Sequence, residues 1–214
     1  MKALVLAGGD VTPTGALKTL CRDAALVVAA DSGVRHARVL GVTPDLIVGD
    51  FDSATQSDLG RYPEVPREVH PARKDRLDLE LALDVAQARG AAEFLVVGAL
   101  GGRLDQTLAA LFIASRLHER YGVALHSGHT AAYPLRAGDA LTLTLPADTT
   151  FSVLGLAPVS VLSLAGASYP LDRAELPFGV GLGVSNRTTR EPLTATLHGG
   201  SALLLAEPGP PGKT

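Results

Sequence analysis

The apolar run Leu46-Ile47-Val48 ends in Gly49-Asp50-Phe51-Asp52-Ser53, which puts two carboxylates two residues apart where a buried strand should stop. Crowded to about 4 Å at an effective dielectric near 20, two such charges repel by roughly 4 kcal/mol. A chain keeps that pair when both acids stay solvated and apart, or when a cation sits between them. Asp31, Asp75, Asp78 and Asp105 occupy comparable settings at strand or helix ends. Acids so placed read as a divalent-metal and phosphate site. Hard carboxylate oxygens suit Mg²⁺, which keeps several waters and binds a few carboxylates together with substrate phosphates. These acids exceed what one Mg²⁺ needs, so others must cap helices, bind a substrate hydroxyl or hold basic side chains. Asp78 fits a helix N-cap equally well, and Ser53 with Gln56 reads as a capping box. Gly101-Gly102-Arg103 at a helix start suits an anion, and Arg73 and Lys74 add positive charge for a polyphosphate. No Walker-type P-loop is present, and the six histidines lack metal-ligand spacing, so they read as surface or hydrogen-bonded structural residues.

The elements that must position these residues alternate in type. Ala3–Leu6 reads as a strand and a helix follows near Thr14–Arg22. The run 25–30 leads into Asp31-Ser32-Gly33 and a helix reaching about Leu40, with Gly41 as its C-terminal glycine. Leu46–Val48 is a third strand. Leu79, Ala82, Leu83 and Ala86 share one helical face, with Gly90 as the stop. Phe94–Val97 is a buried strand, and a helix is predicted from about Arg103 to Arg120. Continuous apolar strands separated by helices imply a mostly parallel sheet covered on both faces, and in such sheets ligands bind beyond the carboxyl ends of the strands. After Val123 the pattern becomes alternating, in 140–145, 151–156, 159–164, 193–197 and 202–205, which predicts a small antiparallel sandwich or barrel. The expected organisation is therefore a Rossmann-like α/β domain over 1–124, a β domain over 125–208 and a disordered tail over 209–214.

Composition excludes several classes. A hydrophobic share of 46% with 19% charged residues is that of a soluble globular protein, and a net charge of −3 gives no basic footprint for nucleic acid. The single cysteine, Cys21, allows no internal disulfide framework and reads as a small apolar residue. Met1–Ala7 is too short for a leader or a membrane span, so no membrane association and a cytoplasmic address are expected.

The motifs together resemble the thiamine pyrophosphokinase family. They are Asp31-Ser32-Gly33, Pro44-Asp45 with Gly49-Asp50-Phe51-Asp52-Ser53, Lys74-Asp75-Arg76-Leu77-Asp78, Gly101-Gly102-Arg103-Leu104-Asp105 and Gly183-Val184-Ser185-Asn186, in that family's order over nearly the whole chain. The resemblance implies transfer of the terminal pyrophosphate of ATP to the hydroxyl of thiamine, giving thiamine diphosphate and AMP. Carried over by position, Asp31, Asp50, Asp52 and Asp78 would surround Mg²⁺ and the phosphates, with Asp52 or Asp78 taking the hydroxyl proton. Asp31, Lys74, Asp75, Arg103 and Asp105 would bind ATP. Ser185 and Asn186, which on spacing alone also fit a turn between strands, would meet the aminopyrimidine of thiamine. The resemblance further implies a homodimer with sites between one subunit's α/β domain and the other's β domain.

Three positions depart from the family pattern. Leu77 stands where threonine is usual, Gln106 where histidine is frequent, and Arg187 where an acid commonly follows Ser-Asn. None removes a carboxylate. Two alternatives remain: a related diphosphokinase acting on a pterin-like alcohol, and a catalytically silent thiamine- or nucleotide-binding regulator.

Overall fold

A computed structural model describes residues 1–70 and 76–207. Lys74, Asp75 and the 209–214 tail lie outside the described residues. The chain divides into two compact units, residues 1–128 and residue 129 onward.

The first unit contains β1 (Lys2–Leu6), α1 (Gly15–Arg22), β2 (Leu26–Ala30), a 3-10 turn over Asp31–Gly33, α2 (Val34–Leu40), β3 (Leu46–Gly49), α3 (Gln56–Leu59), β4 (Arg67–Val69), α4 (Asp78–Ala88), β5 (Glu93–Val97), α5 (Leu104–His118) and β6 (Gly122–His126). Its strands run parallel in the order β6-β5-β1-β2-β3-β4. The chain winds outward from β1 to β4, then returns to β1's other side with β5, so the order reverses between β1 and β5. Strands buried on both faces read as continuous apolar runs, and β2 and β3 are buried throughout. Leu4, Leu6, Val27, Ile47, Leu95 and Val97 pack with Leu17, Cys21 and Leu40 from the helices to form the core. Each such side chain contributes about 1.5–3 kcal/mol on burial.

Helix ends follow local chemistry. Thr14 Oγ1 accepts the Leu17 N–H at 3.2 Å to open α1, and Gly41 closes α2 at φ 73°. Two expected caps are corrected. Thr55 rather than Ser53 caps α3, accepting from the Asp58 N–H at 3.1 Å. Asp78 is the first helical residue of α4, and the cap position falls on Leu77, whose N–H reaches Glu80 Oε2 at 3.2 Å. The helix predicted to reach Arg120 ends at His118. The sequence reading missed β4, because Arg-Glu-Val has neither an apolar run nor two-residue alternation. It also missed that β6 carries the parallel sheet on to His126.

The second unit contains β7 (Ala131–Arg136), β8 (Ala140–Leu143), β9 (Thr150–Gly155), β10 (Val159–Ala165), β11 (Leu171–Pro177), β12 (Asn186–Arg187), β13 (Leu193–Gly199) and β14 (Ser201–Glu207). Within it, strands pair antiparallel in the orders β12-β9-β14-β7 and β11-β10-β13-β8. Phe151, Val153 and Leu204 from one sheet meet Leu162, Leu176 and Leu197 from the other in a shared core. Alternate residues of β9, β10 and β13 point inward, the signature of a sandwich.

Candidate active site

The carboxyl ends of β1, β2, β3 and β5 border a cleft of about 520 Å³ in the first unit. Gly8, Gly9 and Asp10 follow β1, Asp31 and Ser32 follow β2, Asp50 and Ser53 follow β3, and Gly98 with Gly101-Gly102-Arg103 follows β5. This is the reversal point of the strand order, where open α/β sheets bind ligands. Two glycines allow the backbone to close here. A methyl group on Gly9 would come within 2.5 Å of the Gly98 carbonyl oxygen, and one on Gly49 within 2.9 Å of the Asp31 Cβ.

Asp31 stands directly on the end of β2 at φ 45°, a left-handed conformation uncommon outside glycine, with 5% of its surface exposed. Ser53 Oγ donates to its Oδ2. Its Oδ1 is buried without a hydrogen-bond partner among the described residues. Phe51 at φ 60° turns the chain between Asp50 and Asp52. Asp50 faces the cleft, whereas Asp52 is exposed, with its N–H on Asp50 Oδ1 at 3.2 Å. Asp78 enters from the first turn of α4, where the helix dipole favours an anion. Asp31, Asp50 and Asp78 each bring a carboxylate oxygen to within 4.8 Å of the others. The charge on neighbouring Asp50 is the chief influence that holds the Asp52 carboxyl above its ordinary range. A buried carboxylate oxygen left unsatisfied costs about 1–3 kcal/mol or more. Three converging acids with one such oxygen have the donor set that a hard divalent cation requires.

On the other wall, Arg103 stands at the N-cap position of α5 without a side-chain capping bond, and Asp105 grips it with both oxygens, Nε to Oδ1 at 3.1 Å and Nη2 to Oδ2 at 2.6 Å. That pairing draws Asp105 below its ordinary range and raises Arg103. Arg103 lines the cleft, as does Gln106. Thr107 Oγ1 braces the glycine loop, donating to the Gly101 carbonyl and accepting its N–H, each at 3.2 Å. His36 donates from Nε2 to the Gly9 carbonyl at 2.8 Å, and Arg35 donates to the Gly8 carbonyl.

Several cleft residues escaped the sequence reading, notably Gly8, Gly9, Asp10 and Arg76. The available signal was a second double glycine directly after a strand, matching Gly101-Gly102. Arg76 is a wall cation tied back to Asp84 at 2.6 Å.

Ser185 and Asn186 lie in the second unit. The Asn186 carboxamide is buried, accepting the Tyr169 and Arg187 N–H groups at 3.1 and 2.8 Å and donating to the Tyr169 carbonyl at 2.8 Å. Its polar atoms therefore serve the fold. Ser185 is exposed at φ 61°, and its N–H donates to Ser152 Oγ at 3.1 Å. Arg187 pairs with Asp148 at 2.8 Å.

Fold and cleft together define a class: an α/β unit with an acid-lined cleft at the reversal point of its sheet, followed in the chain by a β-sandwich. A model of the thiamin pyrophosphokinase catalytic domain matches residues 17–125, and one of the thiamin pyrophosphokinase vitamin B1 binding domain matches residues 141–198. The chain belongs to the thiamin pyrophosphokinase family. It is 26% identical over 191 residues to a thiamine pyrophosphokinase of Bacillus subtilis (strain 168), covering 85% of this chain and 87% of that one. Its fold matches a solved thiamin pyrophosphokinase from Geobacillus thermodenitrificans with a TM-score of 0.83 at 23% identity, over 99% of each chain. A solved thiamine pyrophosphokinase from Bacillus subtilis matches with a TM-score of 0.82 at 22% identity, over 97% of this chain and 99% of that one.

Proposed function

We propose that this chain transfers the terminal pyrophosphoryl group of ATP to the hydroxyl of thiamine, giving thiamine diphosphate and AMP. One observation carries the reading: the buried Asp31 carboxylate, one of its oxygens without a hydrogen-bond partner among the described residues, converges with those of Asp50 and Asp78 at the switch-point cleft. The match of residues 141–198 to a vitamin B1 binding model favours thiamine over a pterin-like alcohol.

Asp31, Asp50 and Asp78, with Asp52 beside them, would hold Mg²⁺, which when bound supplies charge neutralisation for the polyphosphate. Arg103 at the start of α5, together with Asp105, Lys74 and Asp75, is assigned to ATP. The glycine-walled β1 and β5 loops bring backbone close to the ligand. The thiamine oxygen attacks Pβ, the Pα–O–Pβ bridge breaks, AMP departs and the hydroxyl proton passes to a carboxylate. Asp52 and Asp78 are the two acids assigned to that proton, and Asp52, exposed beside Asp50, is open to an acceptor arriving from solvent. Positioning and charge neutralisation carry such a transfer, with no covalent enzyme intermediate.

Ser185 is assigned to thiamine, with Asn186 holding the adjoining Tyr169 backbone. A homodimer is part of the reading. Leu104, Leu108 and Phe112 form an exposed apolar stripe on α5, and Phe178, Val180, Leu182 and Val184 form another exposed set in the second unit. A cytoplasmic location fits ATP as donor.

The test is product analysis after mixing the protein with ATP, Mg²⁺ and thiamine. AMP and thiamine diphosphate support the reading, ADP rejects it, and thermal stabilisation by ligands without turnover selects the silent regulator. Asp50→Asn should fold normally and lose more than roughly 100-fold in activity, beyond what loss of an outer-shell partner costs. Full activity in that variant sinks the metal assignment.

A further inference from the structure

We infer that Ser53 is a positioning residue for the cation. Its hydroxyl fixes one oxygen of Asp31 and so holds the orientation of the carboxylate that converges with those of Asp50 and Asp78. The inference rests on the metal-dependent reading above and deepens it.

Three observations converge. Ser53 Oγ donates to Asp31 Oδ2, while Asp31 Oδ1 is buried without a partner among the described residues. The two oxygens of one carboxylate are thus in different states, one satisfied and one available. Ser53 has no helix to cap, since Thr55 does that for α3. The Asp31 backbone is held at φ 45° with Gly49 pressed against its Cβ, so the residue's remaining freedom is rotation of its carboxylate. Ser53 removes that freedom.

The arrangement also ties two strand ends together. Asp31 follows β2, whereas Ser53 shares the loop after β3 with Asp50. One hydrogen bond therefore sets the Asp31 carboxylate relative to the loop that presents Asp50. Without it, a buried carboxylate would have neither oxygen satisfied. It would rotate toward a new donor, and that change lowers affinity for a cation.

The experiment titrates Mn²⁺ into the intact protein and reads free Mn²⁺ by electron paramagnetic resonance. Wild type, Ser53→Ala and Ser53→Thr are compared, and melting temperatures are recorded without divalent ion. Ser53→Ala should raise the Mn²⁺ dissociation constant by about 10- to 100-fold, the usual cost of losing an outer-shell partner. Ser53→Thr, which keeps the hydroxyl, should restore binding. In turnover assays Ser53→Ala should shift the Mg²⁺ requirement upward while kcat recovers at saturating Mg²⁺, a split that general loosening of the fold does not produce. Should Ser53→Ala fail to fold, Ser53→Cys supplies a near-isosteric weak donor and should bind Mn²⁺ more weakly than Ser53→Thr. Mn²⁺ binding by the donor-deficient variant as tight as wild type overturns the inference alone. A wild type that binds no Mn²⁺ overturns the cation reading and this inference together.

Discussion

At the residue scale the cleft centres on a conflict held in Asp31, a buried charge with one oxygen satisfied and one not. An unsatisfied buried carboxylate oxygen costs stability until a ligand meets it. Asp31→Asn should therefore raise the melting temperature of the metal-free protein. Relief of about 1 kcal/mol corresponds to roughly 2–4 °C at this chain length. The same variant should lose the stabilisation that Mg²⁺ gives wild type, and a melting temperature that still climbs with Mg²⁺ would contradict the assignment. The Asp50/Asp52 pair was legible in sequence because two acids at the end of an apolar run have few structural uses. Ser53 was not, because a serine that caps a helix and one that holds a carboxylate are identical in sequence. The choice depends on Thr55, two residues on, taking the cap. Asn186 shows a different case: its spacing fits a turn, its assignment to thiamine rests on the family resemblance, and the structure shows its carboxamide bonded to the Tyr169 and Arg187 backbone.

Among the elements, α4 carries an incomplete start. Glu80 already reaches back to the Leu77 N–H, which is half of a capping box, but Leu77 offers no oxygen to the first turn. Glu80 Oε1 also meets Arg116 of α5 at 3.1 Å, so the start of α4 is tied to a neighbouring helix. Leu77→Thr should stabilise the protein by about 1 kcal/mol, and thermal denaturation would register it as roughly 2–4 °C. An unchanged or lower melting temperature would show that packing of Leu77 in the cleft wall outweighs the cap. Elements with continuous apolar runs or clear alternation were legible, as β2, β5 and β10 show. Those held by their neighbours were not: β4 is three residues of Arg-Glu-Val, β12 is two residues, and β11 is largely exposed and charged.

For the whole molecule, two buried histidines make stability depend on pH. His126 Nδ1 accepts the Gly128 N–H at 2.9 Å and so stays unprotonated, and burial pushes its pKa below the ordinary 6.5. His36 is lowered chiefly by burial and next by Arg35, against the opposing pull of its bond to Gly9 and of Asp10 and Asp58. The folded chain thus binds fewer protons at these sites than the unfolded one. Their contribution is complete above 6.5 and is lost as pH falls from there toward the depressed folded values. Wild type should lose melting temperature between about pH 7 and pH 5, and His126→Asn should flatten part of that fall. Parallel profiles for the two proteins would refute the assignment. The two fold types were legible because helix-interrupted apolar runs give way to alternating ones. The cleft as a whole was only half visible, since Gly8, Gly9 and Asp10 carry no chemistry until β1 is placed beside β5.

Cys21 has a practical consequence. It is the chain's one thiol, it sits buried on α1 in the core of the first unit, and burial pushes its pKa to about 11. It should resist iodoacetamide in the native protein and react only when the first unit opens. The thiol is thus a built-in clock for that unit alone, because the sandwich carries no cysteine to answer with it. A nucleotide–Mg²⁺ complex present at about 100 times its dissociation constant should slow labelling by about 100-fold, the roughly 2.7 kcal/mol expected from binding only the folded form. A ligand that leaves the clock running at its free rate is not bound by the first unit, which separates the two substrates' sites without a structure of either complex.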